Sequence, residues 1–193
     1  MNVFTKSLFF VIFVTLGVLI TSNRVNGSDI KRASAEFKDK VQGFINFIFD
    51  PDYYDGEATI VAIFEKGSGL EIGKNYLYRI HENPITNNDC ETAGGVLDPN
   101  QFGSDPGYKC DPTVPEKCEV GDLSGKYGDL IPDDDGEVIK SVIDSFVKLD
   151  GPSGITGRSV VIRLDDKNQT IIACANILNV SNNKRKRNRR FVF

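Results

Sequence analysis

Short strand patterns, rather than helical ones, dominate this chain. Runs of five to seven residues alternate apolar and polar side chains or are rich in β-branched and aromatic residues, and Gly, Pro or Asp separates them. The predicted strands cover residues 41–47, 58–64, 76–81, 137–142, 145–149, 158–164 and 170–175. Because no long amphipathic helix and no internal repeat is found, the pattern predicts an all-β antiparallel sandwich or Greek-key barrel.

The middle of the chain, residues 83–135, has a different character. It is rich in Gly and Pro, and it holds Cys90, Cys110 and Cys118. These features predict long ordered loops, which is where functional residues usually lie.

The first 27 residues have the layout of a secretory signal peptide. Lys6 precedes an apolar run over residues 8–20, and the small residues Gly27 and Ser28 follow. A membrane anchor is the alternative, but the run is short for a bilayer span and no stop-transfer cluster of basic residues follows directly. We therefore expect a secreted, extracellular protein with no membrane association after cleavage, and residues 28–34 form a short N-terminal extension.

Four cysteines agree with an oxidising compartment. Their even number predicts two disulfides, although three pairings are possible from the sequence alone. A zinc site is the competing interpretation, but the paired C-x2-C spacing is absent and the chain has one histidine. Asn168 and Asn179 begin N-glycosylation sequons, which become relevant in a secreted chain.

Charge is divided between an acidic body and a basic tail. Of the 23 Lys and Arg residues, two lie in the leader and six in the tail, whereas all 27 acidic residues lie between them, so the body carries a net charge of −12. The tail, residues 179–193, contains a convertase-like R-x-R-R sequence, and its basic residues predict attachment to a polyanion. A solvated tail without a partner is the alternative. The basic residues are Lys184, Arg185, Lys186, Arg187, Arg189 and Arg190.

Six segments, in chain order, resemble the copper/zinc superoxide dismutase family. They are residues 41–47 (its first strand), 80–82 (the end of F-H-V-H-E), 90–95 (C-x-S-A-G-P), 120–123 (V-G-D-L), 149–152 with 157–161 (L-S-G and G-R-x-x-V-V), and 172–177 (L-A-C-G-V-I). The likeness covers roughly residues 35–178, which we take as one domain.

The resemblance implies an eight-stranded antiparallel Greek-key β-barrel with long disulfide-tied loops, and it allows a homodimer. It also implies a disulfide between Cys90 and Cys174. Cys110 and Cys118, extra to the common family pattern, are then the natural second pair, unless each is free or intermolecular.

The metal ligands are where the resemblance fails. The family holds copper with four histidines, one of which also bridges to zinc, and only His81 remains of these. The other three positions carry Arg79, Val96 and Arg163. An arginine stays protonated and cannot ligate copper.

The zinc positions are equally depleted. Glu119 stands in place of a histidine and Asp122 keeps the family's aspartate, which leaves a weak pair of oxygen ligands. Ile171 takes the place of the family's channel arginine. We expect Arg79 or Arg163 to pair instead with Glu119, Asp122 or Glu82.

The sequence therefore predicts a secreted, catalytically inactive superoxide dismutase-like protein that acts by binding or structurally. A heparan sulfate or similar polyanion is the expected partner, nucleic acid is not expected, and no cofactor is expected. The alternatives are residual dismutase activity, with copper and zinc as cofactors, or weak metal binding by His81, Glu119 and Asp122.

Overall fold

Seven β-strands make up most of the computed structural model, which describes residues 29–52 and 56–180. The strands are β1 (Lys31–Lys38), β2 (Gln42–Phe49), β3 (Ala58–Phe64), β4 (Tyr76–His81), β5 (Val138–Asp144), β6 (Ser159–Leu164) and β7 (Ile171–Asn179). One short helix, α1, spans Leu123–Tyr127, and 3-10 turns lie at Cys90–Ala93, Phe102–Ser104 and Pro115–Lys117. Within those described ranges, no helix has the length and apolar character to cross a membrane.

All strand pairs are antiparallel, in the order β4-β6-β7-β1-β2-β3-β5. The first three strands form a meander, and the chain then crosses to β4 at the opposite edge. It returns to place β5 beside β3 and crosses again to place β6 beside β4. The antiparallel pairing confirms the predicted all-β antiparallel class. The curled sheet surrounds one apolar core.

Strand β1 was not predicted. It pairs with β2 along its full length, from Lys31 opposite Phe49 to Lys38 opposite Gln42, and it also pairs with β7. Residues 41–47 therefore belong to the second strand, and the sheet begins before residue 35. The pattern was missed because only Ala33, Ala35 and Phe37 face the core, and alanine and lysine are depleted in strands.

The predicted strand over residues 145–149 is wrong. Asp144 ends β5, and its carboxylate accepts hydrogen bonds from the backbone nitrogens of Phe146 and Val147. This local capping turns the chain, so that only Lys148 makes a bridge, with Gly154. In the described residues the sheet therefore has seven strands instead of the expected eight.

The core follows the two-residue period of the strands. Inward-facing positions are buried or partly buried along the strands, and the alternation is clearest in β3. The largest fully buried side chains include Ile45, Phe47, Ile60, Phe64, Tyr76, Tyr78, Ile80, Ile162 and Ile177. This apolar interior is continuous and does not involve the residues at the expected metal positions.

Candidate functional site

The outer face of β4 carries the residues that correspond to the family's copper ligands. Tyr78 and Ile80 point into the core, so Arg79 and His81 project from the opposite face of the strand. The structure therefore places Arg79 and His81 side by side outside the barrel, as the resemblance implied.

Two loops cover the free edge of β4. The backbone of Ile80 donates to the carbonyl of Gly121 (2.9 Å) and accepts from the nitrogen of Leu97 (2.9 Å), while Gly121 donates to Leu97 (2.8 Å). A Cβ atom at Gly121 would lie 2.2 Å from the carbonyl oxygen of Ile80, so only glycine permits this approach. The loops are thus fixed against the strand by backbone hydrogen bonds.

His81 is buried beneath these loops. Its Nδ1 donates to the carbonyl of Gly94 (2.8 Å), which places the proton on Nδ1, and its Nε2 is buried without a hydrogen-bond partner. Burial lowers the pKa of His81, and the charges of Arg163 and Arg79 lower it further, against the Gly94 hydrogen bond that raises it. His81 is therefore neutral at physiological pH.

Arg79 is paired with Asp122. Its Nε donates to Oδ1 of Asp122 at 2.9 Å, and its Nη1 lies 3.3 Å from the side-chain oxygen of Gln169. Asp122 is only 4% exposed, and the same Oδ1 accepts from the nitrogen of Gly125, so it also caps α1. The expected ion pair between an arginine and a zinc-position carboxylate is confirmed for Arg79.

Arg163 makes a different contact. Its Nη1 donates to the backbone carbonyl of Gln169 at 3.2 Å, in the turn before β7. Ile171 lies opposite Arg163 in the β6–β7 ladder, beside a register shift. The alternative prediction, that Arg163 pairs with Glu119, Asp122 or Glu82, is wrong. The guanidinium of Arg163 donates to the nearby turn carbonyl instead.

Glu119 lies in an acidic, half-buried setting. Burial raises the pKa of Glu119 to about 7, and the charges of Asp122 and Asp98 add to the rise. The absence of a side chain at Gly103 makes room for the carboxyl, since a Cβ there would lie 1.9 Å from Oε1. Glu119 is therefore about half protonated at neutral pH.

Val96 completes the group of replaced positions. It bridges His81 across the edge of β4, and it lines an open cleft of about 510 Å³ together with residues of the former zinc side. Other residues lining this cleft include Arg79, Tyr108, Glu119, Asp122 and Asp129. The structure thus brings Arg79, Val96, Glu119 and Asp122 to one cleft, with His81 buried behind Val96.

These donors do not fit a copper or zinc centre. His81 offers one free imidazole nitrogen, the Asp122 carboxylate is already paired with a guanidinium, and Glu119 is only partly ionised near neutral pH. The positive charges of Arg163 and Arg79 lower the pKa of His81, and the same charges would repel a metal cation bound to this imidazole. In residues 29–52 and 56–180, no group of three or more His, Cys, Asp or Glu side chains has an arrangement able to hold a metal ion.

Two disulfides hold the loop layer, by which we mean the two loops around Leu97 and Gly121 that cover the edge of β4. Cys90 is bonded to Cys174 across 84 residues, as the resemblance implied, and Cys110 is bonded to Cys118, as their proximity indicated. The first bridge joins the loop that covers His81 to β7. The second closes a short loop beside Glu119.

Both predicted glycosylation sites are exposed. Asn168 lies in the turn between β6 and β7, and Asn179 is the last residue of β7, where its Oδ1 accepts from the hydroxyl of Thr156. Asn179 thus belongs to the sheet rather than to the tail. The predicted leader and the basic residues 184–190 lie outside the described residues, and glycosylation stays a prediction.

Some structurally important polar residues gave no signal in the sequence. Ser124 accepts a hydrogen bond at its Oγ from the nitrogen of Tyr78 (2.6 Å), and Lys126 forms an ion pair with Asp144 in the interior. Their partners are 46 and 18 residues away. No local motif identifies such long-range pairs, although the V-G-D-L segment marks where α1 begins.

Comparison with known proteins supports the fold and the family. Curated relatives include a cell surface Cu-only superoxide dismutase of Arthroderma benhamiae, 35% identical over 103 residues (51% of this chain, 26% of that protein). An extracellular Cu-Zn superoxide dismutase of Caenorhabditis elegans is 32% identical over 111 residues (56% of this chain, 44% of that protein). The chain thus spans less than half the length of these two relatives.

Solved structures show the same fold. Superoxide dismutase 5 of Candida albicans, in its Cu(II) form, superposes with a TM-score of 0.63 at 24% identity and covers 80% of this chain and 95% of its own. The profile of the copper/zinc superoxide dismutase (SODC) family matches residues 41–182. Together with the strand order, the Cys90–Cys174 bridge and the placement of Arg79, His81 and Asp122, this match shows that the chain belongs to the copper/zinc superoxide dismutase family.

Proposed function

We propose that this protein is a secreted, non-catalytic member of the family that acts through binding or as a structural component. The observation that carries the proposal is the Arg79–Asp122 ion pair, in which a residue at a copper position neutralises a residue at a zinc position. A fixed guanidinium there satisfies the carboxylate that a zinc ion would otherwise bind.

The chemistry of dismutation supports the same proposal. Copper must change oxidation state while a rigid set of imidazoles holds it, and this chain has a single histidine. The incoming substrate is an anion, whereas the body carries a net charge of −12 and Ile171 replaces the guiding arginine. We expect no cofactor in the mature protein.

Activity measurements test this proposal directly. The secreted protein is loaded with copper and zinc, and its dismutase activity is compared with that of a variant carrying Arg79→His, Val96→His, Arg163→His and Glu119→His. We expect no activity above free-metal controls in the natural sequence. Metal-dependent activity in the natural sequence would contradict the proposal, whatever the variant does.

A weak metal contact is the second candidate, and one observation favours it. The Nε2 of His81 is buried, unprotonated and without a partner, which is the state of an imidazole that can accept a metal. Copper titration of the natural protein and of His81→Gln would detect such a site. Equal, weak binding by both proteins would exclude it.

The proposed binding partner is a polyanion such as heparan sulfate, held by the basic tail. Six positive charges within residues 184–190 would bind such a chain electrostatically, with an affinity that falls steeply as salt rises. The acidic body would discourage contact with the same polyanion elsewhere. The cell surface relative and the extracellular relative agree with secretion as the setting for this interaction.

Retention on immobilised heparin tests the role of the tail. We expect the full secreted chain to elute at high salt and a chain ending at Val180 to elute with the flow-through. A control in which the six basic residues are replaced by glutamine separates charge from length. Equal retention of the truncated chain would contradict this partner.

A further inference from the structure

A buried pair of opposite charges lies away from the site described above. The side chains of Lys126, in α1, and Asp144, at the end of β5, are each fully buried and form an ion pair. Taking both charges out of water carries a large desolvation cost, so such a pair needs a specific explanation. Neither residue corresponds to a metal position.

The amine of Lys126 is held in place from several sides. Its Nζ donates to the Asp144 carboxylate and to the carbonyl of Val120 (3.0 Å). The rings of Tyr127 and Phe146 lie 5.5 Å and 5.3 Å from it. The amine is therefore held against the Asp144 carboxylate by two oxygen acceptors, with two aromatic rings nearby.

The two oxygens of Asp144 have different partners. Oδ1 accepts from the backbone nitrogens of Phe146 (2.7 Å) and Val147 (2.6 Å). Oδ2 accepts from Lys126 and from the hydroxyl of Tyr127 (3.0 Å). One oxygen thus lies between two backbone donors, and the other lies beside the amine and a hydroxyl.

This arrangement provides the groups that an acyl substitution at the Asp144 carboxyl would use. Two backbone N–H groups on one oxygen can stabilise the negative charge that develops there when a nucleophile adds to the carbon. A hydroxyl beside the second oxygen can pass protons to it as it leaves. A nucleophilic amine stands next to the same carboxyl group.

We propose that Lys126 and Asp144 condense to an intramolecular isopeptide bond that links α1 to the end of β5. The ammonium of Lys126 first transfers a proton to the carboxylate, giving an amine and a carboxylic acid. The amine nitrogen then bonds to Cγ, and the Cγ–Oδ2 bond breaks. Oδ2 leaves as water with the two protons lost from nitrogen, Oδ1 remains as the amide oxygen, and no oxidant or reductant is consumed.

Burial favours this reaction in two ways. Burial lowers the pKa of Lys126, against the Asp144 charge that raises it, and only an unprotonated amine can attack. The condensation also converts two buried charges into one neutral amide, which removes the desolvation cost of the ion pair. Exclusion of bulk water then protects the amide from hydrolysis.

The link has a structural consequence for the loop layer. Helix α1 begins directly after Asp122, and the bond would tie this helix to the sheet through side chains rather than through a metal. The segment that carries Glu119 and Asp122 would then be covalently attached to the barrel at the end of β5. The inference does not depend on the activity or the partner proposed above.

Peptide mass spectrometry tests the bond on the full secreted chain. The protein is denatured, its disulfides are reduced and alkylated, its N-glycans are removed, and it is digested. We expect a branched peptide that contains both residues and is one water molecule lighter than the two separate peptides, and no trypsin cleavage after Lys126. Recovery of the two peptides only as separate species, each at its full mass, would overturn the proposal.

A matched variant provides the control. Lys126→Arg keeps the positive charge but removes the amine, and we expect it to give separate peptides. If this variant fails to fold or to be secreted, the wild-type digest decides the outcome by itself. A branched peptide in the variant, again one water molecule lighter than its two separate peptides, would show that the link uses another residue and would overturn the assignment.

Discussion

The inner face of β4 keeps the apolar residues of the barrel core, whereas the outer face has lost most of the family's metal ligands. On the inner face, Tyr76, Tyr78 and Ile80 are buried in the core of the barrel. On the outer face, the two family copper positions hold Arg79 and His81, and an ion pair has formed in place of metal contacts. The comparison teaches that alternating apolar residues specify this fold, whereas the outer residues specify its chemistry and can change without loss of the barrel.

The outer face of β4 is covered by the loop layer, which contacts other than core packing hold in place. Disulfides, backbone hydrogen bonds at Gly121 and the Arg79–Asp122 pair join the loops to the sheet. Each of these contacts is independent of a metal. The two regions should therefore respond differently to substitution.

The largest effect is expected in the core. Phe47→Ala removes a fully buried ring on β2 and should lower the free energy of unfolding by about 3–5 kcal/mol through lost burial and a cavity. Phe44→Ala, on the outer face of the same strand, is the matched control and should cost much less. Equal costs in chemical denaturation would contradict the division between the two faces.

The second largest losses in the free energy of unfolding are expected from removing the disulfides of the loop layer. Loss of the Cys90–Cys174 bridge, which spans 84 residues, should cost about 4.5 kcal/mol, because it closes a long loop in the unfolded chain. Loss of the Cys110–Cys118 bridge, which spans 8 residues, should cost about 2.5 kcal/mol. Paired Cys→Ser variants compared by denaturant unfolding measure both, and the reverse order would contradict the assignment of the long bridge as the main covalent support.

A smaller effect is expected from the ion pair. Arg79→Gln, Asp122→Asn and the double variant form a cycle in which we expect a coupling of about 1–2 kcal/mol, since Arg79 is partly exposed. Asp122→Asn keeps an oxygen that can accept from Gly125, so the cycle separates pairing from helix capping. A coupling of zero would show that the pair does not support the loop layer.

The smallest effect concerns pH. The pKa of Glu119 is raised to about 7 in the folded protein, so the folded state holds a proton that the unfolded state has released. Its stabilising contribution is present at low pH and is lost as pH rises towards 7, by on the order of 1 kcal/mol after solvent screening. Thermal unfolding of the wild type and of Glu119→Gln between pH 5 and pH 8 measures this, and parallel pH profiles would contradict it.

Much of the fold could be predicted from local pattern, and its exceptions have physical causes. Strands β2 to β7 could be located, because each is a short run that alternates apolar and polar residues or is rich in β-branched and aromatic ones. Strand β1 was missed because small and charged residues fill it, and its stability comes from pairing with β2 and β7. The strand predicted after Asp144 failed because a side-chain carboxylate competes for the backbone nitrogens of that segment.

The candidate site was predictable where a family motif fixes the position. Arg79, His81, Val96 and Asp122 were located from segments that resemble the family. The Arg79–Asp122 pair was one of several pairings of opposite charge that the sequence left open, and only the folded structure selects it. The Lys126–Asp144 pair could not be found in this way. It depends on two segments that meet only in the folded protein.

Metal content tests the central claim most directly. The secreted protein is incubated with copper and zinc, dialysed against metal-free buffer and analysed by inductively coupled plasma mass spectrometry, and its Tm is measured with and without a chelator. The account predicts copper and zinc far below one per chain and a Tm that the chelator does not change. One tightly held copper per chain, with a Tm that falls on chelation, would contradict it.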